Sequence, residues 1–208
     1  AKNTFVMFTS DNGPEGNGTR GRTRGSTGGL RGRKRHTYEG GIRVPGIVRW
    51  PGHVKAGTEN DTPVIGSDIF TTICAVLDIP LPADRTIDGA NMLPLFEGKP
   101  IDRDQPLYWR NHLAPDQQKV AIRIGDWKYR VATEKPPKEK KSERKAASDT
   151  KPKKINVETL YNLSDDIGEQ TNLIDEHPEI AKRLKRQLAT FETDLRKNLR
   201  PAGVASAQ

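Results

Sequence analysis

Phe5-Val6-Met7-Phe8-Thr9-Ser10-Asp11-Asn12-Gly13-Pro14 is the stretch on which the fold turns. Its first half is a short apolar run of β-favouring residues, and its second half is a dense cluster of turn formers. A strand whose C-terminal end opens into polar turn residues is the usual place for a site in an α/β sheet. The strand is expected to be buried. Ala1-Lys2-Asn3 stands ahead of it without an initiator Met or a signal-like start, so the chain is expected to continue upstream.

Outward from there, residues 13–29 form a Gly/Arg/Thr-rich loop without periodicity. Residues 42–50 read as a second strand region with a proline break. Residues 67–77 (SDIFTTICAVL) predict a helix that Ser67 or Asp68 caps, with Ile69, Ile73, Val76 and Leu77 as its core-facing stripe. Cys74 lies in that stripe and reads as a small, inert core residue. Pro80-Leu81-Pro82 ends the helix, and residues 87–96 read as a packed connector. Residues 107–110, 119–124 and 159–163 predict strands. Trp127-Lys128-Tyr129-Arg130-Val131 alternates apolar and basic residues, as an antiparallel strand with one wet face does. Gly125-Asp126 sits at hairpin spacing before it. In residues 178–195, Ile180, Leu184, Leu188, Phe191 and Leu195 recur at helical steps. Residues 1–100 thus read as part of an α/β layer structure. Residues 101–208 read as a small antiparallel sheet with a packing helix.

The charge is unevenly placed. The 208 residues hold 35 Lys and Arg against 27 Asp and Glu, a net +8 that invites a nucleic-acid reading. Residues 20–35 carry seven basic side chains and no acid, and residues 134–154 carry nine basic against four acidic. The other 171 residues hold 19 basic and 23 acidic, so the body of the chain is mildly acidic. Residues 134–154 have three prolines and no large apolar side chain, and are expected to be a disordered insertion. The 20–35 loop lacks interleaved aromatics on which bases would stack, which counts against nucleic acid. No run approaches the roughly 20 apolar residues a membrane helix needs. The single cysteine excludes an internal disulfide framework and a cysteine zinc cage.

Four features bear on chemistry. Asp11 and Asn12 at a strand end offer hard oxygen donors suited to calcium or magnesium, or they form only a turn. Lys34 is a compact cation suited to a sulfate or phosphate oxygen, one among seven basic residues. Gly28-Gly29-Leu30-Arg31-Gly32-Arg33-Lys34 is not a Walker motif. His36, His53, His112 and His177 have no metal-ligand spacing, and His112 either lines a pocket or lies on a surface loop.

Taken in order, several blocks resemble the C-terminal half of formylglycine-dependent sulfatases. They are residues 5–14, then Gly29-Leu30-Arg31-Gly32-Arg33-Lys34, Thr37-Tyr38-Glu39-Gly40-Gly41-Ile42-Arg43-Val44-Pro45 and Trp50-Pro51-Gly52. Ser67-Asp68-Ile69-Phe70-Thr71-Thr72, Asp88-Gly89 with Leu93-Pro94-Leu95, Gly125-Asp126-Trp127-Lys128-Tyr129, and Leu160-Tyr161-Asn162-Leu163 with Asp166, Gly168-Glu169 and Asn172-Leu173 continue it. The style is that of arylsulfatases and N-acetylgalactosamine-6-sulfatase-like enzymes. The resemblance implies an α/β, alkaline-phosphatase-like sulfatase fold: the C-terminal part of the large domain plus a small antiparallel-sheet-and-helix domain. It implies hydrolysis of an aryl or sugar sulfate, on a sulfated small molecule or glycan, by a formylglycine and a calcium ion. It implies Asp11 and Asn12 as calcium ligands and Lys34 as a catalytic contact to the sulfate, with Arg33 and His112 as weaker substrate-binding candidates. A periplasmic or secreted location follows from the family.

The family's nucleophile motif, Cys or Ser followed by x-Pro-x-Arg, is absent, since Cys74 precedes Ala75-Val76-Leu77-Asp78. The chain therefore reads as a C-terminal portion that is inactive alone. Two alternatives stay open: a phosphatase or phosphodiesterase of the same superfamily, or a non-catalytic polyanion-binding module using residues 20–35.

Overall fold

A computed structural model of the chain describes residues 3–16, 25–112, 118–134 and 155–198. The insertion expected at 134–154 lies outside these residues apart from Glu134, as do Arg20, Arg22 and Arg24 of the basic loop. Two compact units alternate along the chain. One comprises Ala1–Asn12, Val44–Leu107 and Arg183–Gln208, and the other Gly13–Arg43 and Tyr108–Lys182.

In the first unit, β1 (Val6–Thr9) pairs antiparallel with β2 (Gly46–Arg49), Met7 opposite Val48 and Phe8 opposite Ile47. The expectation of a buried strand is corrected: Val6, Phe8 and Ile47 are 45%, 60% and 59% exposed. In a two-stranded ribbon side chains alternate between faces. Met7 and Val48 are half-covered, and the face carrying Val6, Phe8 and Ile47 is open. Phe5, just before the ribbon, meets Trp50 edge-on at 5.4 Å and Phe96 at 6.2 Å.

The helix α2 (Ser67–Val76) forms where its periodicity placed it, but part of the expected stripe is turned outward. Ile73 and Leu77 are exposed, whereas Asp68, Thr71, Thr72 and Cys74 are buried. Hydrogen bonding explains the difference. Asp68 accepts from the backbone N–H of Ile65 and Ala90, both at 2.8 Å, and takes a two-pronged guanidinium from Arg103 at 3.0 and 2.6 Å. Thr71 donates to the Gly89 carbonyl, and Thr72 accepts from Met92 N–H. The polar side of α2 thereby satisfies the backbone of residues 89–92, which four aliphatic side chains would leave unpaired. Neither Ser67 nor Asp68 caps the helix, whose N-cap is Gly66. The connector carries a short helix, α3 (Leu93–Phe96), and Cys74 is buried as expected.

The second unit is built on an antiparallel sheet in the order β3 (Leu107–His112), β4 (Gln118–Ile124), β5 (Trp127–Glu134), β6 (Ile155–Asn162). Gly125 and Asp126 close the β4–β5 hairpin between Ile124 and Trp127, with Gly125 at φ +60, which the first position of such turns requires. The expected wet face of β5 does not exist. Lys128, Tyr129, Arg130 and Ala132 are all buried, so both faces of this central strand are covered. The N-terminal loop of this unit adds a turn of helix, α1 (Glu39–Ile42). The last helix, α4 (Pro178–Lys197), starts in this unit and belongs to the first from Arg183 on; it buries Ala181, Leu184, Leu188 and Phe191 as its periodicity requires. No helix among the described residues is long and apolar enough to cross a membrane.

Candidate functional site

Asp11 and Asn12 follow β1 after Ser10 and end the first segment of the first unit. Asp11 is exposed and Asn12 half-buried. Ser10 turns its hydroxyl back to the Asn12 carbonyl at 2.9 Å, so the segment is a tight polar turn with the carboxylate facing outward. A carboxylate and an amide oxygen suit a hard cation, which takes six to eight oxygens. Among the described residues no group of three or more His, Cys, Asp or Glu could hold a metal. Two oxygen donors alone would fill only part of such a coordination shell.

Lys34 and Arg33 belong to the second unit, on the loop that leads to α1. The backbone N–H of Lys34 donates to the Pro14 carbonyl at 2.8 Å, two residues past Asn12 in the sequence. Gly13, buried at the start of the same unit, donates to the Gly41 carbonyl at 2.9 Å. Gly40 donates to the Arg31 carbonyl at 2.7 Å. These approaches explain Glu39-Gly40-Gly41. A Cβ on Gly40 would sit 2.6 Å from the Arg31 carbonyl oxygen, and one on Gly41 would strike the carbonyls of Arg33 and His36. Only glycine lets the loop fold back on α1 this closely.

The Lys34 side chain is partly exposed, with Nζ 3.8 Å from the Glu15 carboxylate. Such a surface pair is weak and leaves the ammonium available to an anion. Arg35 holds the same carboxylate more closely. The Arg35 hydrogen bond keeps the Glu15 carboxyl below its usual range. Arg33 is exposed, its carbonyl accepting His36 N–H at 2.9 Å. His112 closes β3, and its side chain lies outside the described residues. The predicted residues thus fall into two groups, Asp11 with Asn12 and Lys34 with Arg33, one in each unit.

Sequence reading missed a buried ionic network beneath the Lys34 loop. Lys128 on β5 is fully buried, with its Nζ 2.8 Å from Glu39 Oε1 and 2.9 Å from Glu169 Oε1. The Glu169 contact is a charge pair lying off hydrogen-bonding angle. Glu169 Oε2 accepts the Glu39 backbone N–H at 2.6 Å, the free donor at the start of α1. Burial pushes the Glu39 carboxyl up, but Lys128 and Arg43 together outweigh it and hold it below its usual range. Burial dominates at Glu169 and raises it. Arg130, also on β5 and buried, donates to Thr37 at 3.1 Å and Tyr38 Oη at 3.0 Å, its guanidinium 3.8 Å from the Tyr38 ring centre. Burial pushes the Tyr38 hydroxyl up to about 12, which keeps it a neutral partner. Arg31 lies 4.2 Å from the same ring centre and donates to Tyr161 Oη at 3.2 Å and the Glu169 carbonyl at 2.6 Å. Lys128 and Arg130 share one face of β5, but a solvated face has the same pattern, so the sequence alone did not mark the acids opposite.

This network bears on the polyanion reading. Arg31 and Arg35 are exposed but hold partners within the unit, Glu169 and Glu15, which neutralises part of their charge. In the first unit, an open cavity of about 580 Å³ is lined by Gln105, Phe191 and Asp194 among others, and none of the predicted site residues borders it.

Comparison with known proteins places these features in a family. The family model described as Sulfatase matches residues 1–79. The N-acetylgalactosamine-6-O-sulfatase of Bacteroides thetaiotaomicron is 34% identical over 198 residues, covering 92% of this chain and 37% of that protein. Human arylsulfatase A is 32% identical over 222 residues, covering 99% of this chain and 41% of that protein. The crystal structure of Ps i-CgsB in complex with k-i-k-neocarrahexaose matches with a TM-score of 0.72 and 27% identity, over 97% of this chain and 38% of that one. The chain spans about two fifths of the length of these relatives. The fold class is the α/β, alkaline-phosphatase-like one that the sequence blocks imply.

Proposed function

Because this chain belongs to the sulfatase family, we propose that it is the C-terminal portion of an enzyme that hydrolyses sulfate esters, with a sulfated sugar as the substrate class. The name of the Bacteroides relative supports the sugar. In this reading Lys34 donates to a sulfate oxygen, and its ammonium offsets the charge on the sulfuryl group during transfer. Asp11 and Asn12 give two oxygen ligands to a calcium ion. When bound, such an ion acts as a Lewis acid on the sulfate oxygens. A formylglycine supplied from sequence outside this chain serves as the nucleophile, and the enzyme works in the periplasm or outside the cell. Arg33 helps to draw in the anionic substrate.

One observation carries the assignment to Lys34. Its backbone is fixed by Pro14 and by the Gly40-Gly41 packing, while among the described residues its ammonium meets only the Glu15 carboxylate, at 3.8 Å on the surface. The chemistry therefore has a half-exposed cation on a set backbone.

In the longer enzyme, Lys34→Ala is expected to lower kcat/KM for nitrophenyl sulfate by about 100-fold without shifting the melting temperature. Undiminished turnover would remove Lys34 from the site. The 208-residue chain alone is expected to release no nitrophenol, because no Cys or Ser stands in the nucleophile motif. Turnover by the purified chain would sink that part of the proposal.

A further inference from the structure

We infer that Glu169 and Lys128 are positioning residues for Lys34: the buried pair clamps the 30–43 loop onto the sheet and fixes where the Lys34 ammonium stands. This rests on the reading of Lys34 as the sulfate contact.

Glu169 grips the loop on both sides of Lys34. Its carbonyl oxygen takes the Arg31 guanidinium at 2.6 Å, three residues before Lys34. Its carboxylate takes the Glu39 N–H at 2.6 Å, five residues after. Lys128 then joins the carboxylates of Glu39 and Glu169 from the sheet side. The backbone at Glu169 is left-handed, with φ +54. A non-glycine residue persists in that region only where its surroundings over-determine it. They do so here: Asp166 braces the turn, its carbonyl accepting Glu169 N–H at 3.1 Å and its carboxylate accepting the N–H of Gln170 and Thr171 at 2.6 and 2.8 Å. Glu169 is therefore held in place before it holds the loop.

Buried ion pairs are poor devices for stability alone, since apolar residues of equal volume often serve as well. What apolar side chains cannot do is bind the Glu39 backbone N–H and the Lys128 ammonium at defined points. The pair is matched to fixing a loop's position.

The test uses Glu169→Gln, which keeps the size and the acceptor for Glu39 N–H but removes the charge facing Lys128. Hydrogen exchange is followed in the 208-residue chain. The amides of Lys34, Glu39 and Gly40 are expected to exchange about tenfold faster or more, while those of the β4–β5 hairpin keep their rates. Unchanged loop amides overturn the inference. So do loop and hairpin rates rising together, which would make the pair a support of the sheet, and so do wild-type loop amides that exchange as in an unfolded peptide. A second measurement reads the chemistry in the longer enzyme. Glu169→Gln is expected to lower kcat/KM about tenfold when Lys34 is present and to add nothing on the Lys34→Ala background. Losses that simply add overturn the positioning role. Lys34→Ala without effect would refute the functional reading instead, and the exchange result would still decide whether the clamp exists.

Discussion

Lys128→Met lowers the free energy of unfolding by about 3–5 kcal/mol, because it leaves the carboxylates of Glu39 and Glu169 buried without their shared cation. That is a large part of the roughly 5–15 kcal/mol that holds a domain together. Urea unfolding followed by tryptophan fluorescence measures it, and Lys182→Met, at an exposed position, is the matched control with a change within about 0.5 kcal/mol. A loss below about 1 kcal/mol for Lys128→Met would mean that the two acids find other partners. The pH dependence has a defined sign. The folded state holds the Glu39 carboxyl below its ordinary value of 4.5, so its contribution is complete above that pH and is lost as the pH falls below it. Glu169 acts oppositely: burial favours its protonated form in the folded state, so its ionisation opposes folding above pH 4.5 and acidification relieves that cost.

Asp68→Ala is the second large effect. Asp68 is fully buried, and its carboxylate serves two backbone N–H groups and the Arg103 guanidinium. Truncation strips the partner from Arg103, whose side chain is only 16% exposed, and orphans both amides. The expected loss is again about 3–5 kcal/mol. For a chain of this size that is a fall in melting temperature of about 6–20 °C by circular dichroism. Asp68→Asn, which keeps the acceptor oxygen, falls less. Equal melting of Asp68→Ala and wild type would show that Arg103 and the 89–92 backbone are not organised by this residue.

Much of the fold was legible where one physical signal acted alone. The steps of Leu184, Leu188 and Phe191 predicted α4, and Gly125-Asp126 predicted the hairpin, because apolar spacing and turn chemistry are local. The failures came where a tertiary partner overrode the local pattern. The alternation of Trp127, Lys128, Tyr129 and Arg130 suggested a solvated face. Glu39, Thr37 and Tyr38, which cover Lys128 and Arg130, lie 89 to 93 residues away on the N-terminal loop, and Glu169 lies beyond β6, which no local pattern reveals. The same holds for α2, where Asp68 and the threonines outcompete Ile73 and Leu77 for the interior because residues 89–92 need hydrogen-bond partners. Asp11, Asn12 and Lys34 entered as candidates through the ordered blocks they sit in. The clamp beneath Lys34 was not legible, since the Gly168-Glu169 block does not tell that its carboxylate is buried or which groups it meets.

The separation of these partners also sets an order of events during synthesis. Glu39 is 130 residues ahead of Glu169, and translation at about 5–20 residues per second puts roughly 7–25 s between their emergence. For about two thirds of that interval the 30–43 loop has neither Lys128 nor Glu169 to close on, and its Glu39 and arginines stay hydrated; Glu169 comes last. The segment carrying the proposed sulfate contact is made early and set late, and a ribosome that stops short of residue 169 leaves it unset.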